Sequence, residues 1–397
     1  MPARRLIVLL CLTGATTTIS IGAFPALLPE LGATGGLADW QLGAVAGAFG
    51  LARMLANLPV GLFITHHLGR AFVLAPGLML IGAVLLATGG GFGALLLGRA
   101  LMGVGHTLTM LGGLTAILRY RAGPGLASSL NAVEFSAMVG VLSGAALLSV
   151  LPRSVPWNVA LLIACAPMVA NLFLLPALRR ALPRPDTTGS RPLFARSQHA
   201  PAGGDPAAGE LRPAPVLALL AMIAGAAVAV GYSTVELFAI PLRGSREFGL
   251  DRGGIARLLM LSQLVDLAAL LPVGALADRR GTPVVLGGVL VVFAAALGLI
   301  GFGSLPLVTV GCVLFGFSMA GWMLPLATLR AVTPPAQVAW RTALYRVSVD
   351  GGMFAGPFVS GLLGARHAGV LPGVMTVVLA TVGGALLTRA WLTARSR

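Results

Sequence analysis

Twelve apolar stretches, most of twenty residues or more, fill nearly all of this 397-residue chain. They run over 6–29, 41–64, 72–90, 94–118, 126–151, 157–178, 214–242, 254–277, 283–303, 305–329, 342–365 and 369–391, numbered here as spans 1 to 12. About 20 predominantly apolar residues in a helix cross the hydrocarbon core of a bilayer. A backbone inside that core must satisfy its own hydrogen bonds, which segments of this length do as helices. A soluble surface needs about a quarter of its residues charged, and here 10% are. Twelve acids and 27 bases cannot coat a soluble globule of 40.3 kDa. Disorder fails for the opposite reason, because 57% of the chain is hydrophobic. The expectation is an all-α integral membrane protein with 12 transmembrane helices. Arg4 and Arg5 before an apolar run look like a signal peptide, but the run is long and eleven more follow, so it reads as a retained helix.

Residues 179–213 form the one long polar stretch, with six arginines and six prolines. Nothing in it can bury a core, so it reads as a flexible cytoplasmic linker. It separates a six-helix bundle over 1–178 from another over 214–397. The formal net charge of +15 would suggest nucleic acid in a soluble chain. All 27 bases are arginine, and 18 fall on one side of the spans, 5 on the other and 4 inside them. Arginine-rich loops stay in the cytoplasm. This places both termini and the linker inside, with the protein multi-pass in a bacterial inner membrane. Counting acids, the cytoplasmic side carries +14, the outer side +1 and the spans zero. The charge is a topology signal, and no nucleic-acid partner is expected.

Enzyme chemistry finds no foothold. The chain has no lysine, and hence no phosphate-binding Gly-x-x-x-x-Gly-Lys loop. It has no His-Glu-x-x-His helix and no Gly-x-Ser-x-Gly elbow. Cys11, Cys165 and Cys312 stand alone in apolar stretches, a spacing that suits neither a metal nor a disulfide frame. No cofactor is expected.

The two halves repeat. Pro59-Val60-Gly61 near the end of span 2 recurs as Pro272-Val273-Gly274 near the end of span 8. The same offset of 213 sets Gly103 and Gly105 over Gly316 and Ser318, and an offset of 216 sets Glu134 and Gly140 over Asp350 and Gly356. Transporters are commonly built from such repeats, with the substrate site between them. Gly274-Ala-Leu-Ala-Asp278-Arg279-Arg280-Gly281 resembles the loop signature of the major facilitator superfamily, and Arg99-x-x-x-Gly103-x-Gly105 resembles its fourth-helix motif. The resemblance implies two pseudo-symmetric six-helix bundles and transport by alternating access. It implies that Gly274, Asp278, Arg279, Arg280 and Gly281 form a cytoplasmic gate. Helices 1, 4, 7 and 10 would line the cavity, helix 2 would face helix 11, and helix 5 would face helix 8. There are departures. The first-half loop, Thr65-His66-His67-Leu68-Gly69-Arg70, lacks the acid and reads as a solvated loop. In helix 5, Gly140 and Gly144 lack the following proline, whereas Gly352-x-x-x-Gly356-Pro357 carries it in span 11.

Charges inside a membrane are costly and mark function or a partner. Arg53 and Asp266 lie 12 residues before the loop positions Thr65 and Asp278, about 18 Å deep. Glu134 and Asp350 lie eight residues into their spans, about 12 Å deep. Given the implied helix neighbours, Arg53 and Asp350 are expected to pair, with Arg346 one turn away. Glu134 would face Asp266, and two close carboxylates in low dielectric cannot both ionise easily, so one holds a proton. These five residues either couple protons to transport or hold the halves in register. Glu236 and Tyr232 in span 7, His106 and Arg99 in span 4, and Trp322 in span 10 are the cavity candidates. For each, packing or an interfacial position is the structural alternative. The functional expectation is a monomeric, proton-coupled secondary transporter exporting lipophilic or cationic small molecules. Uptake of a small metabolite is the alternative, and a membrane sensor or lipid-modifying enzyme the remote one.

Overall fold

The computed structural model describes residues 2–120, 126–182, 215–334, 337–364 and 367–395. Among these, every regular element is helical: α1 (Pro2–Gly35), α2 (Asp39–Thr88), α3 (Phe92–Tyr120), α4 (Leu126–Val150), α5 (Trp157–Cys165), α6 (Val169–Ala181), α7 (Pro215–Thr234), α8 (Ile240–Arg246), α9 (Arg252–Arg280), α10 (Thr282–Phe302), α11 (Leu305–Met319), α12 (Leu324–Ala331), α13 (Val338–Leu363) and α14 (Val370–Arg395). Ten helices among the described residues, several joining consecutive elements, are long and apolar enough to cross a membrane. Residues 183–214, most of the expected linker, lie outside the described residues.

Several expected spans are built differently from a plain helix. Spans 2 and 3 form one 50-residue element, α2, with a break in helical geometry at His67 (φ −129°, ψ 39°). The expected Thr65–Arg70 loop is therefore a correction: these residues stay helical on either side of a kink. The Arg119 guanidinium donates to the Thr65 carbonyl at 2.8 Å, which supports the backbone at the bend. Span 6 tightens into a 3₁₀ turn over Ala166–Met168, where Pro167 removes a backbone donor. Span 7 widens into a π-helical turn over Val235–Ala239. Span 10 breaks between α11 and α12, just before Pro325.

Small residues let these helices approach closely, the usual basis of packing without water. The repeat read from sequence reappears as paired contacts. Gly140 of α4 sits where a Cβ would strike Ala15 and Thr18 of α1, and Thr18 Oγ1 donates to the Ala137 carbonyl at 2.7 Å. Gly356 of α13 sits the same way against Val230 and Ser233 of α7, and Ser233 Oγ donates to the Gly352 carbonyl at 3.0 Å. Likewise Gly103 abuts the Phe49 carbonyl and Gly316 the Ser262 carbonyl. The incomplete helix-5 glycine motif is thus a packing seam.

The chain halves on either side of 183–214 meet through α2 with α13 and through α4 and α1 with α9. Let the near end be the one where α1 begins, and the far end the opposite one. Far-end residues of the first half, from Ala23–Leu31, Leu42–Phe49 and Ala145–Leu148, join second-half residues in one hydrophobic core. Toward the near end that core divides. Leu6, Leu10, Ile64, Phe72 and Ile117 form a first-half cluster, and Ala218, Ala221, Leu329 and Tyr345 a separate second-half cluster. Three of the four ion pairs across the halves among the described residues also lie at the far end: Arg252 with Glu30 at 3.1 Å, Arg246 with Asp39 at 2.8 Å and Arg153 with Asp251 at 2.5 Å. Among the described residues, the apolar core shared by the halves includes their far-end residues, and separate clusters lie toward the near end.

Candidate functional site

The middle of the bundle holds two linked polar groups. The first is built on the π turn of span 7. Widening by one residue turns Glu236 inward, and its side chain is 4% exposed. Such turns recur at functional sites. Gln263 Nε2 of α9 donates to Glu236 Oε1 at 3.3 Å, and Tyr232 stands one turn earlier on the same helix. The Tyr232 ring stands edge-on to Trp322 at 5.5 Å between centroids and beside Phe315 at 6.0 Å. Trp322 sits in the break between α11 and α12. Irregular backbone at membrane depth is tolerated where it is buried in protein or lines a cavity. Two interrupted spans therefore present one carboxyl and an aromatic wall to the same point.

Asp266 lies one turn below Gln263 on α9, within Coulombic range of Glu236 and, less closely, of Glu134. Its Oδ1 is buried without a hydrogen-bond partner among the described residues. Asp266 thus lies within the influence of Glu236 as well as of Glu134, the acid it was expected to face. Glu134 is in turn within range of Arg346 and Arg53.

The second group lies on the α2–α13 seam. Arg53 Nη2 pairs with Asp350 Oδ1 at 2.9 Å, and Asn57 Nδ2 donates to Asp350 Oδ2 at 2.5 Å. Asp350 is 2% exposed and Arg53 25%. Arg346 does not close on Asp350 within ion-pair distance. It acts electrostatically on Glu134.

Arg99 and His106 lie deeper in the first half. The Arg99 guanidinium stacks on Phe24 at 3.7 Å and on Phe49 at 5.0 Å, with Nε and Nη1 unpartnered among the described residues. His106 packs on the other part of Phe49 at 5.4 Å. Arg53 approaches the same ring at 5.9 Å. Phe49, which sequence reasoning passed over, thus joins three basic groups. Cations over aromatic faces are a recurrent substitute for a carboxylate partner in a dry interior. Gln263 and Asn57 were also missed. A polar amide inside an apolar run at the depth of an acid is the signal that would have found them. The gate motif lies at the near end: α9 ends at Arg280, Gly281 takes φ +88°, and Asp278, Arg279 and Arg280 are all exposed.

The sequence profile of the Major Facilitator Superfamily matches residues 6–328. The chain belongs to the Major Facilitator Superfamily. Solved structures agree in fold. A mutant of the nucleoside transporter NupG superposes with a TM-score of 0.74 at 14% identity, over 96% of this chain and 99% of that one. A POT family transporter in complex with a thioalcohol-conjugated peptide superposes with a TM-score of 0.75 at 13% identity, over 96% and 95%. A bacterial homolog of the human lysosomal transporter Spinster, inward-facing and unoccupied, gives 0.69 at 17% identity, over 98% and 93%. A search of curated protein sequences finds no match. The chain is an integral membrane protein and a secondary, alternating-access transporter of a small-molecule substrate rather than an enzyme.

Proposed function

We infer that this transporter is proton-coupled and exports lipophilic or cationic small molecules. One observation carries the reading: a buried carboxyl, Glu236, lies beside an aromatic wall and within the influence of Asp266, and the neutral amide of Gln263 donates to it. Such a site suits either a proton or an organic cation, and the two would compete for the same oxygen atoms. Cation–π attraction from Tyr232 and Trp322 adds to the charge term for an aromatic or quaternary cation. Asp266 and Glu134 hold or pass on the displaced proton, and Arg53 with Asp350 keeps the halves in register as they rock.

The proposed topology has twelve spans in two six-helix bundles, 1–178 and 214–397, joined by the linker 179–213. The ten membrane-length helices include α2, which is long enough for two spans, and α13 adds another despite carrying Arg341, Arg346 and Asp350. The lysine-free, Ala- and Gly-rich composition supports a bacterial inner membrane, and the arginine distribution supports both termini and the near end being cytoplasmic. That makes the present conformation inward-open. The transporter is proposed to work as a monomer, with Gly274, Asp278, Arg279, Arg280 and Gly281 closing the near end in the other state.

The test is substrate-induced proton flux in liposomes, screened over organic cations, neutral drugs and metabolites. Cation-dependent flux that disappears in Glu236→Gln and persists in Arg279→Gln is the expected result. Flux unchanged by Glu236→Gln removes this residue from the site. Flux driven only by anionic or neutral metabolites removes the export reading.

A further inference from the structure

The first half has a surface that the transport mechanism does not use. A groove between α2 and α3 opens on the outer face of the bundle, with a volume of about 910 Å³. Its walls are apolar along their whole length, and include Ala52, Leu55, Phe63, Leu74, Leu97 and Ala100. Along α2 it extends from Ala48 to Phe63, about 22 Å, which exceeds the half-thickness of a hydrocarbon core of about 30 Å.

At its near end the groove meets cations. Phe63, a groove residue, stacks on the His67 ring at 5.2 Å. His66, His67, Arg70 and Arg119 are all exposed there, and Arg119 is held against the kink through the Thr65 carbonyl. Among the described residues no acid pairs with them. The first half has three carboxylates, Glu30 and Asp39 at the far end and Glu134 inside a span. An apolar slot one leaflet deep, ending in uncompensated guanidinium and imidazole groups, has the two-part chemistry of a single lipid. We propose that this groove binds an anionic glycerophospholipid, its acyl chain between α2 and α3 and its phosphate at Arg70 and Arg119. Anionic headgroups are drawn to clustered arginines at a membrane surface. The apolar slot adds what a bare cluster lacks, a fixed place for the chain, and ties lipid occupancy to the kink.

Native mass spectrometry of the full-length protein tests this, in micelles holding equal amounts of phosphatidylglycerol and phosphatidylcholine. One phosphatidylglycerol should be retained at least tenfold over phosphatidylcholine. Arg70→Gln with Arg119→Gln should lower that retention about tenfold. Because Arg119 also supports the kink, Arg70→Gln alone serves if the double variant does not fold, with a loss of about threefold. Ala100→Phe, which fills the slot, should lower retention without altering any charge. Arg179→Gln with Arg180→Gln, at the near end but off the groove, should leave it unchanged. Equal retention of the two lipids overturns the proposal, as does equal loss in the Arg179 and Arg180 control. So does indifference to Ala100→Phe, or displacement of the lipid by glycerol phosphate, which would mean an anion site with no lipid-specific groove.

Discussion

The Arg53–Asp350 pair shows how a single contact on the seam is weighed. Asp350 is buried to 2% while Arg53 keeps 25% of its surface exposed. Losing the arginine leaves a buried carboxylate with only Asn57, whereas losing the acid leaves an arginine still reached by solvent. Arg53→Gln should therefore destabilise more than Asp350→Asn. A double-mutant cycle on thermal unfolding in detergent should give a coupling of about 0.5–3 kcal/mol; strictly additive losses would mean that the pair contributes nothing. Asp251, outside the spans, makes a pH prediction. It caps α9 by accepting the Gly254 amide at 2.9 Å, and that hydrogen bond, followed by Arg153, holds its carboxyl below the ordinary value of 3.8. A depressed carboxyl stabilises the folded state above its ordinary value, and this contribution is lost as pH falls through the depressed one. Acid unfolding below about pH 4 should thus be less steep in Asp251→Asn than in the parent chain. The cap itself should persist in the variant, because asparagine caps a helix about as well as aspartate. Identical acid limbs would remove Asp251 from the titration.

At the scale of elements, the sequence revealed where helices lie more readily than how they are interrupted. The helix neighbours implied by the family resemblance, together with depth counting, brought Arg53 to Asp350, and the repeat at offsets of 213–216 survives as matched glycine contacts. The π turn at Val235–Ala239 has no hydropathy signature, since it shifts register by one residue inside an unbroken apolar run. The kink at His67 was hidden for a related reason: a short polar run in a membrane protein reads as a loop, although nothing in it stops helical hydrogen bonding on either side. Gly43 and Gly47 went unread because a glycine stripe shows its partner only when the facing backbone is known. A Cβ on Gly43 would strike the Pro357 carbonyl, and one on Gly47 the Phe354 carbonyl. Gly47→Leu should therefore wedge α2 from α13 at the far end. Cross-linking of Asp39→Cys to Arg246→Cys, whose parent side chains pair at 2.8 Å, should fall by at least threefold in that background. Undiminished cross-linking would mean that α13 yields to the larger side chain.

For the whole molecule, the asymmetry between its ends decides which state is populated. Among the described residues three of the four cross-half ion pairs lie at the far end, the fourth being Arg53–Asp350 on the α2–α13 seam, and the three do not weigh equally. Arg153 is 79% exposed and Arg246 41%, so their pairs are largely screened by water. Arg252 is buried to 2%, reaches Glu30, and donates to the Pro152 and Val155 carbonyls at 2.8–3.1 Å. One side chain of the second half thus satisfies two backbone acceptors and a carboxylate of the first. In the alternate state those groups separate and hydrate, so Arg252 favours the far-end-closed state selectively, and only a selective contact can shift a two-state equilibrium. Arg252→Gln keeps some donor capacity yet loses the charge and the fork. A loss of about 1.4 kcal/mol moves the equilibrium tenfold, so the far-end-open population should rise about tenfold. Spin labels placed across the far end, read by pulsed distance measurements, should show a longer distance gaining weight. Arg153→Gln should change that distribution little, because its pair is already exposed. If Arg153→Gln shifts the distribution as far as Arg252→Gln does, closure depends on summed surface charge and not on the buried fork. The salt dependence of the parent protein separates the two cases again. A buried fork is screened weakly by added salt and surface pairs strongly, so the far-end-closed population should persist at 1 M salt.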